Sequence, residues 1–114
     1  MPEPGFQLRV GRSSGALVVA PSGDLDIGTA PELAGALAGA AGDDVVVDLR
    51  AVAFIDSSGV AGVLEARRRA QESGGRLRVV EGPPEVQRVL ELVSLDRTLE
   101  WTEPPADVTW LDGA

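Results

Sequence analysis

The run Val45-Val46-Val47-Asp48-Leu49 is the most strongly apolar stretch of the chain, and a segment of different character follows it, Phe54-Ile55-Asp56-Ser57-Ser58-Gly59-Val60. An unbroken β-branched run suits a strand buried on both faces. The second segment opens a helical pattern. A buried strand feeding a helix confines the chain to layered α/β arrangements. With Asp56 as N-cap, Ile55 falls at N′ and Val60 at N4, the pairing of a hydrophobic staple. The spacing predicts a helix over 57–72, with Val60, Val63, Leu64 and Ala70 facing inward. Ser57, Ala61, Glu65, Arg68 and Glu72 then share the outward face, with Ser58 and Gly62 beside them. Ser73-Gly74-Gly75 ends the helix.

The rest of the chain repeats the alternation. Phe6, Leu8 and Val10 alternate with polar residues, as in a half-buried strand over 6–10. Residues 11–15 read as a turn, longer than the tightest hairpin types, and 16–20 as a second strand. Gly23-Asp24-Leu25-Asp26-Ile27-Gly28 reads as a polar loop. Thr29 is a good N-cap, with Pro31 in the first turn and Glu32 three residues on. The helix it starts is expected to run to about residue 41, with Leu33, Ala36, Leu37 and Ala40 on one face. Residues 50–53 read as a connector. A strand follows over 76–80, and a third helix carries Val86, Val89, Leu90 and Val93 at helical spacing. A short strand is expected over 99–101. Residues 102–114 read as a loose tail, of which Trp110 and Leu111 could still pack back onto the domain. The expected order is β-β-α-β-α-β-α-β: a single α/β domain with a mixed, partly parallel sheet and a core over about 6–101.

Composition removes whole classes of chemistry. The net charge is −8, and all ten basic residues are arginine. An acidic chain without a basic stripe is a poor partner for nucleic acid or for an anionic membrane. There is no histidine, cysteine or lysine. A Ser-His-Asp hydrolase, a Cys/His zinc site and a P-loop are therefore missing parts. No Gly-x-Gly-x-x-Gly follows a strand, and nothing calls for a cofactor. Asp24, Asp26 and Asp56 are of a type that could hold Mg²⁺, but their scatter in sequence makes this a minority reading. No enzyme is expected. The N-terminus has no signal-peptide pattern, no apolar run is long enough for a bilayer, and the missing cysteines suit the cytoplasm.

What remains for the Asp-Ser-Ser-Gly segment is modification or recognition. It presents two hydroxyls at a helix N-terminus, where free N–H groups and the helix dipole favour negative charge. A phosphate on Ser57 would add roughly −1.5 to −2 charge there without breaking the fold. Packed dry against a partner, it would be an unpaired dianion and costly to desolvate. The plain alternative stays open: Ser and Asp ahead of a helix commonly serve as caps. In the same way, Gly23-Asp24-Leu25-Asp26 could be an ordinary solvated loop, and Arg67-Arg68-Arg69 a solvated helix face.

Taken together and in order, these pieces resemble the STAS domain, specifically the bacterial anti-sigma factor antagonists. The resemblance is carried by Gly23-Asp24-Leu25-Asp26 with Thr29-Ala30-Pro31-Glu32-Leu33, Val46-Val47-Asp48-Leu49, and Phe54 to Val60. Gly74-Gly75 before a strand and the stretch from Val86 to Leu95 complete it. It implies a mixed β-sheet with helices packed mainly on one face. It also implies that Ser57, the serine directly after the aspartate, is the phosphoacceptor. The implied partners are an anti-sigma factor that is an ATP-dependent serine kinase and a separate phosphatase. Unphosphorylated antagonist binds the kinase and frees the sigma factor; phosphorylated antagonist lets go. The resemblance carries over Asp24 and Asp26 as contact positions; with the residues around Ser57 on the start of the second helix, the expected binding surface is Asp24, Asp26, Asp56, Ser57, Ser58, Gly59, Ala61, Gly62 and Glu65. Two positions depart from the family pattern: Asp24 where Glu is more usual, and Ser94 where Gly usually precedes Leu95. A STAS module serving as scaffold or transport-complex accessory, without a phosphoswitch, is the alternative function. A nucleotide-binding domain is a third. Oligomeric state is left open.

Overall fold

A computed structural model describes residues 5–37 and 42–111. Its elements are β1 (Gln7–Ser13), β2 (Ala16–Leu25), α1 (Ala30–Ala36), β3 (Val45–Asp48), β4 (Ala51–Ile55), α2 (Ser57–Glu72), β5 (Leu77–Val80), α3 (Pro84–Leu92), β6 (Glu100–Trp101) and β7 (Thr109–Trp110). The sheet runs β6-β5-β3-β2-β1-β7, with β4 paired to β2 beside that path. β1 is antiparallel to β2 and to β7, while the β2–β3, β2–β4, β3–β5 and β5–β6 pairs are parallel. This is the expected mixed sheet.

Strand alternation divides the sheet into two faces. Leu17, Val19, Val45, Val47, Leu77 and Val79 join the main core, together with Leu33 of α1, Val60 and Val63 of α2, and Val86 and Leu90 of α3. The helices therefore lie on one face. Ala16, Val18, Val46 and Val80 point the other way and are packed by Val108 and Trp110.

That second cluster corrects the expectation of a loose tail after residue 101. β7 pairs Trp110 with Gly11 and Thr109 with Arg12. The Ser13 hydroxyl donates to the Ala106 carbonyl at 2.6 Å, and the Arg9 guanidinium lies 3.9 Å from the Trp110 ring centroid. The segment is retained because the helix-free face would otherwise expose its valines.

Three other expectations change. The first hairpin is tight, with Ser13 opposite Ala16 and only Ser14 and Gly15 between them. Both turn residues have positive φ, 49° and 83°, as a type I′ turn demands. Residues 50–53 are not a connector, because Ala51 onward forms β4. And Gly23-Asp24-Leu25 is strand, because β4 pairs with the far half of β2 from Ser22 to Leu25, across an irregularity at Gly23/Asp24. That pairing satisfies a polar backbone that reads as loop in isolation. α1 is described only to its C-cap Leu37, so the expected continuation to residue 41, with Ala40, lies outside the described residues.

α3 keeps the left-handed turn at its C-terminus although Ser94 stands where Gly is usual. Ser94 takes φ 63°, and the Leu95 N–H closes back on the Leu90 carbonyl at 2.8 Å. This is the left-handed cap usually given to glycine. Ser94→Gly is expected to stabilise the protein by about 0.5–1 kcal/mol, since the Cβ penalty exceeds the added chain entropy. Urea denaturation should show the midpoint rising at unchanged m-value; a fall would contradict the assignment.

Candidate functional site

The site is built where β2 and β4 end side by side. Their parallel register sets Asp24 beside Phe54 and Leu25 beside Ile55. Asp26 and Asp56, one residue further along each strand, therefore leave the sheet as neighbours. The Asp56 N–H donates to the Leu25 carbonyl at 3.4 Å, tying the two exits together.

Asp56 is the N-cap of α2 as expected. Its Oδ1 accepts the Gly59 N–H at 3.0 Å, and its backbone is extended, with φ −117° and ψ −171°. Ile55 and Val60, the residues of the anticipated staple, are both buried. Ser57 is thereby fixed in the first turn and exposed, whereas Ser58 is half-buried. The sequence alone could not separate these two hydroxyls on physical grounds; their exposure differs because the helix turns Ser58 toward α1.

Gly59 offers no surface to a partner, contrary to expectation. It is buried under β2, with room for hydrogen only: a Cβ would stand 2.1 Å from the Leu25 carbonyl oxygen. Its place is in the packing that brings Ser57 close to β2. Ala61 is exposed, and Gly62 and Glu65 are half-buried. Gly62 lies against α1, where a Cβ would come within 3.1 Å of the Ala30 Cβ. Hydrogen bonds first from Arg68 and then from Arg69 hold the Glu65 carboxyl down to about 2. Arg68 also reaches Glu72. This outward stretch of α2 is thus a self-neutralised ion network, and the arginine run contributes two of its members.

Among the described residues, no arginine forms an ion pair with Asp24, Asp26 or Asp56. Neither do they form the Mg²⁺ set that their residue type allowed: among the described residues, no group of three or more His, Cys, Asp or Glu could hold a metal ion.

Thr29 is the N-cap residue of α1, as expected, but its side chain is used elsewhere. It is fully buried and makes no side-chain cap hydrogen bond. Its hydroxyl donates to the Asp24 carbonyl at 2.7 Å and accepts the Asp26 N–H at 2.9 Å. It latches the β2–α1 loop to the end of β2. Gly28 N–H donates to Asp26 Oδ1 at 3.0 Å, and Ala30 N–H to the Asp26 carbonyl at 2.8 Å. The loop carries Ile27, which is 79% exposed. Sequence reasoning passed over Ile27, although a large aliphatic residue inside a polar loop was the available signal.

A shallow groove of about 330 Å³ runs between α1 and α2 beside this loop. A larger cleft, about 810 Å³, is lined by residues of the β1–β2 turn, Asp43, Asp44, Arg78 and the segment 102–107, and by none of the candidate site residues. No helix among the described residues is long and apolar enough to cross a membrane.

Comparison with known proteins gives the family and the fold. A family model described as "Mlab, STAS domain" matches residues 8–100. A crystal structure of an anti-sigma factor antagonist from Mycobacterium paratuberculosis is similar at 29% identity and TM-score 0.76, covering 94% of this chain and 93% of that one. The structure of the anti-sigma factor antagonist SpoIIAA in its unphosphorylated form is similar in fold, at 23% identity and TM-score 0.67, covering 85% and 87%. An anti-sigma-factor antagonist (STAS) domain protein from Planctomyces limnophilus gives 20% identity and TM-score 0.70 over 85% and 90%. A search of curated proteins finds no match.

Proposed function

Since the chain belongs to the STAS domain family, its model matching residues 8–100, we propose that it is an anti-sigma factor antagonist switched by phosphorylation of Ser57. In this reading the partner is an anti-sigma factor that is itself an ATP-dependent serine kinase. The unphosphorylated protein occupies that kinase and so frees the sigma factor. The kinase then transfers the γ-phosphoryl group of ATP to the Ser57 oxygen, which gives up its proton as ADP departs. The phosphorylated protein dissociates, and a separate phosphatase restores it.

The observation that carries the reading is the placement of Ser57: exposed, in the first turn of α2, next to Asp56, a carboxylate with no arginine ion pair among the described residues. A partner with cationic groups is drawn to that surface. Phosphate added there leaves the helix start tolerable, because N–H groups and the dipole favour an anion. The same phosphate meets Asp56 and its neighbours at close quarters, which opposes a packed interface. Ser58 is a poorer acceptor because it is half-buried against α1. Asp24, Asp26, Ala61, Gly62 and Glu65 complete the proposed contact surface.

The test is phosphoryl transfer. Kinase-like anti-sigma factors from the source genome, supplied with ATP, should add one phosphate to the wild-type protein, and Ser57→Ala should take up none. Phosphate uptake by Ser57→Ala at wild-type stoichiometry would overturn the assignment. Stable binding of a partner without phosphorylation of Ser57 would favour a STAS module with no switch.

A further inference from the structure

The cleft of about 810 Å³ lies at the end of the sheet away from Ser57. Residues 13–16, where β1 turns into β2, line it, whereas Ser57 follows β4, which pairs with the far end of β2. The floor is the helix-free face, through Val46 and Arg78, which stand in register on β3 and β5. The wall is the segment 102–107, anchored at both ends. The Thr102 N–H donates to the Val79 carbonyl at 3.0 Å, and the Ala106 carbonyl accepts the Ser13 hydroxyl at 2.6 Å. The cleft is therefore preformed, and a ligand need not order it.

Charges of both signs line the cleft without pairing. Arg78 is half-buried on the floor, and its Nε is shut off from water with no hydrogen-bond partner. A buried N–H left unpaired costs about 1–3 kcal/mol. Glu100 stands in register with Arg78 on β6, yet it pairs with Arg76 at 2.6 Å. Asp43, which also lines the cleft, is taken by Arg12. Among the described residues Arg78 forms no ion pair. Neither do Asp44, Glu103 and Asp107, three exposed carboxylates of the same cleft.

We infer that this cleft binds a zwitterion of the amino-acid kind, either a free amino acid or a short peptide with free ends. Its carboxylate meets the Arg78 guanidinium, and its ammonium group meets the carboxylates of Asp44, Glu103 and Asp107. A plain anion such as phosphate would satisfy Arg78 but face three carboxylates. A plain amine would satisfy the carboxylates and leave Arg78 unpaired. A metal ion has no seat, since among the described residues no group of three or more His, Cys, Asp or Glu could hold one. Val46 in the floor and Pro104 and Pro105 in the wall offer apolar surface to the carbon skeleton. The inference does not rest on the phosphoswitch: it gives the domain a small-molecule site apart from Ser57.

The experiment is calorimetric titration of the wild-type protein with the common amino acids and with the dipeptide alanylalanine, each to about 10 mM. At least one should bind, and the comparison of alanylalanine with free amino acids separates a peptide end from a free amino acid. The N-acetyl derivative of the tightest binder has lost the ammonium charge, and its amide has lost the carboxylate. Each should bind about 10-fold more weakly than the parent. Arg78→Met keeps the stem and removes the charge, and should lower affinity about 10- to 100-fold. Asp44→Asn, at an exposed position, should lower it about two- to fivefold. Both variants should melt within about 2 °C of wild type, since neither side chain is in an ion pair. Absence of binding by every compound overturns the inference. So does an N-acetyl derivative that binds as tightly as its parent, which would mark a plain anion site. Unchanged affinity in Arg78→Met puts the ligand elsewhere and overturns it too. Should Arg78→Met melt low, the derivatives titrated into wild type and the Asp44→Asn protein still decide.

Discussion

Replacing Gly59 with alanine is expected to cost about 3 kcal/mol, the upper part of the usual range for overpacking. A Cβ there would stand 2.1 Å from the Leu25 carbonyl oxygen and 2.7 Å from Cγ1 of Ile55. Neither neighbour can give way cheaply. Leu25 is completely buried in β2, and its carbonyl already accepts the Asp56 N–H. Ile55 is 2% exposed and packed in the main core. The start of α2 must therefore lift away from the sheet, which also breaks the Asp56 cap on the Gly59 N–H. The melting temperature should fall by about 10 °C. Gly35→Ala is the internal control: nothing lies within 4 Å of a Cβ at that position, so helix propensity alone should stabilise by about 0.5–1 kcal/mol. A Gly59→Ala protein that melts within about 2 °C of wild type would show that α2 is not seated on β2 as described.

The contrast between these glycines also shows what a sequence can and cannot tell. α2 is readable from end to end because each signal is local: the Asp56 cap, the apolar period through Val60, Val63 and Ala70, and glycines after Ser73. β3 is readable because a β-branched run buried on both faces has few other uses. β4 is not readable. Ala51, Ala53 and Phe54 are exposed and only Val52 and Ile55 are buried, so no clean alternation exists. Its identity as a strand comes from a partner, the far half of β2, that lies many residues away. The same non-local pairing turns Gly23-Asp24-Leu25 from apparent loop into strand, and joins Thr109-Trp110 to β1.

At the site, the residue types were legible and their division of labour was not. Thr29 is the N-cap residue of α1, as its place before a helix suggests, but its hydroxyl does not cap. It serves as a latch because the Asp24 carbonyl comes within reach once β2 has paired with β4. Gly59 looks like part of a surface because it adjoins the two serines, yet the pitch of α2 turns it under Leu25. Ser57 and Ser58 are chemically equivalent in sequence, and only the packing of α1 against α2 makes one exposed and the other half-buried. The Thr29 latch and the half-burial of Ser58 come from tertiary contacts, of which local sequence carries no record.

Ser57→Asp is expected to separate stability from binding, moving the two in opposite directions. The added carboxylate lies in the first turn of α2, where the helix dipole and free N–H groups favour it by about 0.3–1 kcal/mol. Ser57 is exposed, so the substitution displaces no packed atom. Thermal stability should therefore hold or rise slightly, despite the nearby Asp56. Binding should behave otherwise. In the kinase complex the new charge would be taken from water with Asp56 beside it and, among the described residues, no arginine paired with that carboxylate, a penalty of about 2–3 kcal/mol. That corresponds to a loss of affinity of roughly 30- to 150-fold. Part of the loss should be recovered at high salt if repulsion between exposed charges contributes, whereas a desolvation penalty is screened far less. Calorimetric titration of the kinase with wild-type and Ser57→Asp proteins, alongside thermal melts of each, measures both quantities. Were the hydroxyl only a helix-start residue, the dipole-stabilised Asp variant would bind as tightly as wild type, and the phosphoswitch reading would fail. Loss of binding together with loss of fold would assign the effect to structure. Weak binding by a protein that melts at or above the wild-type temperature is the result that a charge switch requires.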